Sequence, residues 1–223
     1  IAYPSLGNFK GLLGWSQQGQ YEEEMQAATA RYAPIYERFA AMDFAALQQD
    51  SAALNLGRSL YASYCTTCHG SDARGAPGYP NLTDDDWLWG NSEAALTMTI
   101  RQGRSGVMPV LAPALGGDTG IDNMVQYVKS LSGMVEASTE AMNAEPMFLA
   151  LCSACHNADG TGNPMFGAPD LTDDIWLYGS SDEAVRTTLV KGRNGLMPAH
   201  GELLGENRTR ILAAYVASLS LPD

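Results

Sequence analysis

Two short segments of the sequence carry cysteine and histidine in the same order, CTTCH from Cys65 and CSACH from Cys152. Two thiols one helical turn apart can add across the two vinyl groups of a single porphyrin, and the adjacent histidine reaches the iron from the same side. This pattern is the attachment signature of haem c. It predicts two covalently bound haems c, held and ligated by Cys65, Cys68 and His69 and by Cys152, Cys155 and His156.

Other uses of the four cysteines fit the pattern less well. A Cys₄ zinc site would join pairs 87 residues apart (152 minus 65), whereas zinc sites of this kind separate their pairs by about 15–20 residues. A thioredoxin-type redox pair is expected in a βαβ context, and a structural disulfide gives no reason for a histidine after each pair. Haem attachment is therefore the prediction.

A methionine lies between glycines and a proline in two similar stretches, GRSGVMP at 103–109 and GRNGLMP at 192–198. A methionine that only fills a hydrophobic gap needs no such frame, although most of the 10 methionines are expected to do that. A thioether as the sixth ligand gives haem iron a high reduction potential, which is typical of electron transfer. We predict that Met108 and Met197 are distal ligands, each serving the haem of its own copy of the motif.

Two further pairs of residues recur in the same order. Arg104 and Arg193 follow the first glycine of each methionine stretch, and a planar guanidinium suits a haem propionate, although a solvated surface arginine is an equal interpretation. Trp87 and Trp176 begin the segments WLWG and WLYG, where an indole N–H could also reach a propionate. Core packing alone would explain the two tryptophans.

Helices are predicted to position these residues. Ser92 can cap the segment EAALTMTIRQ, which Gly103 ends, and Ser181 and Gly192 bound the equivalent segment DEAVRTTLVK. Serine at the start of a helix and glycine just after its end are the expected terminal signals. Each copy therefore has a helix immediately before its methionine stretch.

Apolar residues recur at helical spacing over 121–131 and 211–219, which predicts the C-terminal helix of each copy. The acidic runs at 22–24 and 84–86 are also interpreted as helix starts, with Thr83 as the cap of the second, because first turns favour carboxylates. No stretch alternates with the period of a strand for long. The predicted fold class is therefore all-α.

The second half of the chain repeats the first. The cysteine motifs are 87 residues apart (152 minus 65) and the methionine stretches 89 (197 minus 108), so the second copy has two extra residues. A period this long, seen twice, predicts two copies of a small domain. The predicted order is an N-terminal extension, a first domain, a linker and a second domain, at 1–53, 54–134, 135–144 and 145–223.

Composition limits the partners. A chain of 223 residues with 45% hydrophobic residues can bury substantial cores, and no apolar run reaches the length of about 18 residues that a membrane span needs. The net charge of −12 would repel phosphate backbones, so nucleic acid is excluded as a partner, whereas a basic protein would be attracted over long range.

Each copy resembles a class I cytochrome c domain, and the whole chain is similar to the di-haem subunit III of bacterial cbb3-type cytochrome c oxidases. Outside the haem motifs, the similarity is carried by YPSLGNFKGLLGW at 3–15 and YEEEMQAATARYAPIYERFAAM at 21–42. This opening resembles the stretch by which the family's soluble part leaves its membrane anchor. The implied fold is all-α, with two tandem class I cytochrome c domains preceded by an N-terminal helical segment.

The resemblance implies an electron-transfer subunit with no catalytic activity of its own, on the periplasmic side of the bacterial inner membrane. Its partners would be the mono-haem and catalytic subunits of the oxidase and a soluble, basic cytochrome c as electron donor. Membrane attachment would depend on an anchor absent from this chain. The alternatives are a free-standing periplasmic di-haem cytochrome c, a di-haem subunit of a dehydrogenase, and a di-haem peroxidase, against which the two matched methionine stretches argue.

Overall fold

The computed structural model describes residues 15–220 and is mostly helical, as the sequence predicts. The stretch at 3–15 that carries part of the resemblance lies outside the described residues, apart from Trp15. Between residues 15 and 220 the elements are α1 Gln17–Ala40, α2 Phe44–Leu47, α3 Ser51–Tyr64, α4 Thr66–His69, α5 Glu93–Gln102, β1 Arg104–Met108, a 3₁₀ turn Ala112–Ala114, α6 Asp118–Leu131, α7 Thr139–Met142, α8 Glu145–Leu151, α9 Ser153–His156, α10 Asp182–Lys191, β2 Arg193–Met197 and α11 Gly201–Ser218.

The expected N-terminal helical segment is present as α1, in a unit that ends at Asp43. Ser16 caps α1, because its hydroxyl oxygen accepts a hydrogen bond from the backbone N–H of Gly19 at 3.0 Å. The acidic run at 22–24 lies beyond the first turn of α1, so its interpretation as a helix start was wrong. Within residues 15–220 no helix combines the length and the apolar character that a membrane crossing needs.

The second unit, from Phe44 onward, contains both cysteine motifs. Its helices α5 and α10 begin at the predicted caps: the hydroxyl oxygens of Ser92 and Ser181 accept from the backbone N–H groups of Ala95 and Ala184, each at 3.2 Å. Both helices end at a glycine in the left-handed region, with φ of 73° and 69°. The predicted boundaries of these helices are therefore confirmed.

The acidic run at 84–86 lies in a loop, so the interpretation of this run as a helix start was also wrong. The Thr83 hydroxyl, expected to cap that helix, donates to Asn81 Oδ1 at 2.8 Å instead. The partly buried side chain of Asp86 lies near the equivalent acidic loop of the second copy. Burial, followed by the charge of Asp173, raises the pKa of Asp86 to about 6.

Packing exchanges the C-terminal helices of the two copies. α11, from the second copy, packs against α3 and α5 of the first copy, while α6, from the first copy, packs against α7, α8 and α10 of the second. The rings of Tyr61 and Tyr215 lie 5.8 Å apart, and those of Tyr127 and Phe148 lie 5.4 Å apart. We call α2 to α5 with α11 the first packed half, and α6 to α10 the second packed half.

The exchange buries the apolar faces of both C-terminal helices. α3 and α11 approach closely, because a Cβ atom at Gly57 would lie 2.4 Å from the Cβ atom of Tyr215. Buried side chains on α11 are Leu204, Thr209, Ile211, Leu212, Ala213, Ala214, Val216 and Ala217. The buried cluster of the second packed half contains Leu115, Ile121, Met124, Val125, Tyr127, Val128, Ala141, Ala144, Phe148, Cys152, Val185 and Leu189. Each core therefore combines residues of both copies.

Ion pairs also join helices that come from different copies. Arg210 on α11 pairs with Glu93 on α5, and Arg186 on α10 pairs with Asp118 and Asp122 on α6. The predicted domain limits, 54–134 and 145–223, describe the repeat in the sequence and stay a prediction. In space, the C-terminal helix of each copy packs with helices of the other copy.

The two methionine stretches pair with each other, which the all-α prediction missed. β1 and β2 form an antiparallel ribbon in which Gly106 faces Gly195, Met108 faces Arg193 and Arg104 faces Met197. The chain passes from one packed half to the other at this ribbon. After β1 the backbone N–H of Leu111 donates to Leu189 O at 3.0 Å, and after β2 the N–H of His200 donates to Ile100 O at 2.9 Å.

Candidate haem-binding sites

Each Cys-x-x-Cys-His segment forms a single helical turn directly after a longer helix. Cys65 ends α3 and begins α4, and Cys152 occupies the same position between α8 and α9. The backbone N–H of His69 donates to Cys65 O at 3.0 Å, and that of His156 donates to Cys152 O at 2.9 Å. This turn brings two thiols and one imidazole together, as the haem c signature requires.

No disulfide joins any two of the four cysteines, all of which lie within residues 15–220. Cys152 is buried and Cys65 half-buried, while Cys68 and Cys155 are exposed. Burial, followed by the second cysteine of each pair, raises the pKa of Cys65 and of Cys152 to about 11. These two thiols are therefore neutral at pH 7.

Both histidines are oriented by a backbone carbonyl. Nδ1 of His69 lies 3.0 Å from Pro80 O, and Nδ1 of His156 lies 3.0 Å from Pro169 O. Because a carbonyl oxygen only accepts, Nδ1 carries the proton and Nε2 keeps its lone pair for a metal. Burial lowers the pKa of His156, although the bond to Pro169 acts in the opposite direction. A neutral imidazole is the form that ligates iron.

Met108 lies in the second packed half. It is half-buried and packs against the cluster that contains Phe148 and Cys152. Its backbone passes the end of α10, because a Cβ atom at Gly192 would lie 2.5 Å from Met108 O. The structure therefore groups Met108 with the cysteine motif of the second copy, contrary to the expectation that each copy uses its own methionine.

Met197 has the equivalent position in the first packed half. A Cβ atom at Gly103, which ends α5, would lie 2.3 Å from Met197 O and 2.8 Å from the backbone nitrogen of Ala199. Met197 also faces Arg104 across the ribbon. The segment around Met197 therefore lies against the helix that precedes the methionine stretch of the first copy.

Both predicted arginines are held by protein groups. Arg104 Nε donates to Thr99 Oγ1 at 2.8 Å, and the guanidinium lies 4.7 Å from the ring centroid of Trp89. Arg193 repeats this arrangement, at 2.9 Å from the equivalent threonine and 4.2 Å from the ring of Tyr178. The aromatic partners were not predicted, although an aromatic residue at the third position of both WLWG and WLYG was a signal. A propionate contact stays a prediction for both arginines.

The two predicted tryptophans carry buried donors. The Nε1 atoms of Trp87 and Trp176 are buried and have no hydrogen-bond partner among residues 15–220. Leaving a buried donor unpaired costs about 1–3 kcal/mol, so an acceptor is expected at both positions. A haem propionate is such an acceptor. These indoles, the oriented histidines and the cysteine pairs together fit two haem groups.

The two candidate sites adjoin each other. The backbone N–H of Gly78, in the loop after the first cysteine motif, donates to Leu177 O of the second copy at 2.8 Å. A Cβ atom at Gly167 would lie 2.3 Å from the ring of Trp89. With the shared ribbon, these contacts join both sites in one packed body.

Comparison with known proteins identifies the family. The family profile described as cytochrome c oxidase, cbb3-type, subunit III matches residues 52–128 and 139–216, and each matched segment contains one cysteine motif. The chain is 42% identical over 218 residues to the cbb3-type cytochrome c oxidase subunit CcoP of Rubrivivax gelatinosus, covering 98% of this chain and 71% of that protein. It is 37% identical over 238 residues to the subunit FixP of Bradyrhizobium diazoefficiens, covering 98% and 82%. The chain belongs to the family of subunit III of cbb3-type cytochrome c oxidases and is an electron-transfer subunit of such an oxidase.

Proposed function

We propose that this chain relays electrons through two covalently bound haems c, each ligated by one histidine and one methionine in a class I cytochrome c manner. The proposal rests on one arrangement of residues that occurs at both sites. Each site combines a Cys-x-x-Cys-His turn, an imidazole fixed through Nδ1 and a buried indole N–H that lacks an acceptor within residues 15–220.

Each type of residue has a different role at the site. When bound, the haem supplies an iron that alternates between the ferrous and ferric states. The cysteine thiols anchor the porphyrin covalently, and His69 and His156 ligate through Nε2. Met108 and Met197 supply thioethers, which favour the ferrous state and raise the potential. With haem bound, the indole N–H groups of Trp87 and Trp176 would donate to propionates. The guanidinium groups of Arg104 and Arg193, which also bond to threonine hydroxyls, would donate there as well.

The chain passes electrons onward and has no catalytic role of its own. We place it on the periplasmic side of the bacterial inner membrane, between a soluble cytochrome c and the mono-haem and catalytic subunits of the oxidase. The net charge of −12 favours a basic donor.

Two haems per chain are expected to stay on the protein in acid acetone, because thioether bonds survive conditions that remove a merely ligated haem. Metal analysis should give two irons per chain, and both haems should be low-spin with a thioether-to-iron charge-transfer band. Chains in which Cys65 and Cys68, or Cys152 and Cys155, are replaced by serine should each retain one haem. Extraction of haem from the wild-type chain, or zinc in place of iron, would refute the proposal.

Reduction by a basic cytochrome c is expected to slow as salt rises. Attraction between a basic donor and an acidic chain is screened beyond about 8 Å at physiological ionic strength, so the second-order rate constant should fall about tenfold between low and physiological salt. Stopped-flow reduction at several salt concentrations measures this, with an acidic cytochrome as control. A rate constant that does not change with salt, or a faster reaction with the acidic donor, would exclude electrostatic docking.

A further inference from the structure

We propose that α1 docks on another subunit of the oxidase through an apolar stripe along one side of the helix. We define this apolar stripe by six residues of α1, which are Tyr21, Met25, Ala28, Tyr32, Ile35 and Phe39. Its partner is a helical protein surface that is apolar along its centre and basic where it meets the first half of α1. The inference depends on this chain being a subunit of an oxidase, and it is independent of how the haems are held.

The spacing of the apolar stripe places its members on one side of α1. Successive members are separated alternately by four and three residues, and side chains at these separations are neighbours on a helix surface. From the first member to the last there are 18 steps (39 minus 21), which correspond to about 27 Å of helix at about 1.5 Å per residue. The opposite side of α1 carries Glu23, Ala27 and Ala30. The helix is therefore amphipathic along most of its length.

Most of the apolar stripe is exposed. Tyr21 is 59% exposed, Met25 and Tyr32 are each 47% exposed, and Ile35 is 43% exposed, while Phe39 at the C-terminal end is buried. Single exposed apolar residues are ordinary, but four large ones along one side of a helix form a contiguous patch, and such patches mark interaction sites. Tyrosine and methionine are also enriched in protein interfaces. The apolar stripe therefore has both the exposure and the composition of an interface.

The stability of α1 also favours a bound partner. Helices in proteins are stabilised mainly by packing of an apolar side, and Pro34 within α1 removes one backbone hydrogen bond. The side-chain amide of Gln18 donates to Glu22, and that of Gln20 donates to Glu24, each at 2.7 Å. Such pairs contribute about 0.2–0.5 kcal/mol each, whereas full burial of one methionine or isoleucine side chain contributes about 1.5–3 kcal/mol. Covering the apolar stripe would therefore stabilise α1 far more than its own side-chain contacts do.

The charges beside the apolar stripe indicate the kind of partner. Glu24 lies on one flank of the stripe and Glu22 on the other, and both accept from neutral amides, so both keep their negative charge. A membrane surface is disfavoured, because helices that lie on membranes carry lysine and arginine beside their apolar side and are attracted to anionic lipids. A protein surface with basic side chains on both sides of an apolar centre complements this arrangement.

A second copy of α1 fits the apolar stripe less well than another subunit does. A coiled coil needs apolar heptads over at least about three to four repeats, and 18 steps are fewer than three repeats of seven residues. The small side chain of Ala28 in the middle of the stripe weakens such a seam further. A partner within the same oxidase is held at high local concentration, so a short stripe is sufficient there.

Photo-crosslinking in the intact oxidase identifies the partner. The photoreactive residue p-benzoylphenylalanine replaces Tyr32 on the apolar stripe or, as the control, Ala30 on the opposite side, and both positions are exposed. Illumination should join the chain that carries it at position 32 to another oxidase subunit, and should give no such product from position 30. A product with a second copy of this chain or with lipid, equal yields from the two positions, or no product from position 32 would overturn the proposal.

Two matched double variants measure how much the apolar stripe contributes. Met25→Gln with Tyr32→Gln makes the stripe polar, whereas Ala27→Gln with Ala30→Gln adds the same side chains on the opposite side. Glutamine is a good helix former, so both variants keep α1 helical. The oxidase is purified through a tag on another subunit and washed with detergent. The amount of this chain that is retained should fall at least about tenfold in the first variant and stay unchanged in the second.

Equal retention of the two variants, or an equal loss, would overturn the proposal. Haem staining of the same samples is a separate measurement, and both variants should keep the haem content of the wild-type chain. A wild-type chain without covalent haem would refute the two-haem function, whereas the retention of the variants decides the docking of α1.

Discussion

Gly103→Ala is expected to remove the thioether-to-iron band of one haem and to lower the free energy of unfolding by about 2–4 kcal/mol. Gly103 has φ of 73°, where a side chain is strained, and its Cβ atom would lie 2.3 Å from Met197 O. Relief requires the backbone of Met197 to move, which withdraws the thioether from the iron. The absorbance of the oxidised protein and unfolding in urea measure the two effects.

Two other glycines of the ribbon region provide a control and a repeat of the test. Gly106→Ala should retain both bands and change stability by less than about 1 kcal/mol, because the closest atom to its Cβ would be a ring carbon of Trp89 at 3.8 Å. Gly192→Ala should repeat the effect of Gly103→Ala at the other haem, since its Cβ atom would lie 2.5 Å from Met108 O. Full methionine ligation in Gly103→Ala would contradict this account of the ribbon.

Cutting the chain between the two copies should leave both fragments in one complex. Gly133 is exposed, and a Cβ atom there would meet nothing within 4 Å, so a protease site can be inserted beside it. Each packed half contains a helix from the other fragment, so both apolar cores hold the fragments together. Gel filtration after cleavage should show one species with unchanged haem spectra, and a dissociation constant below about 1 µM.

A variant at the interface between α3 and α11 tests the cause of this association. Gly57→Leu should weaken the cut complex at least about tenfold, because even a Cβ atom at this position would lie 2.4 Å from that of Tyr215. Asn55→Leu, which adds an apolar side chain at an exposed position of the same helix, should have little effect. Fragments that separate under native conditions without either substitution would show that the copies do not share their cores.

The local features of this chain were predictable because their signals are short in sequence. Ser92 and Ser181 cap the helices that they were expected to cap. The apolar spacing over 121–131 lies within α6, and that over 211–219 lies in α11 and its C-cap residue Leu219. The cysteine motifs likewise form the expected helical turns. Each of these signals depends on contacts within a few residues.

The exchange was not predictable for a physical reason. α6 and α11 are copies of one helix, so their apolar faces fit either α3 or α8, and a periodic pattern cannot distinguish a partner within the copy from one in the other copy. The ribbon was missed because β1 and β2 each have only five residues with a glycine at the centre. Such a short strand shows too little alternation of apolar and polar residues. The run at 84–86 was misinterpreted because the favourable effect of acidic residues at a helix start was considered, while the repulsion from the equivalent loop around Asp173 could not be seen.

The exchanged helices also determine the order in which the parts of this protein can finish folding. Gly57 meets Tyr215, which is 158 residues further along the chain (215 minus 57), so the contacts between α3 and α11 are far from local in the sequence. Non-local contacts slow folding, and a chain made from its N-terminus exposes the apolar face of α3 until α11 has been synthesised. A chain that stops after the first copy therefore lacks the helix that covers α3. We therefore expect the first site to mature only when α11 is present, and chains without α11 to expose apolar surface and become substrates for chaperones and proteases.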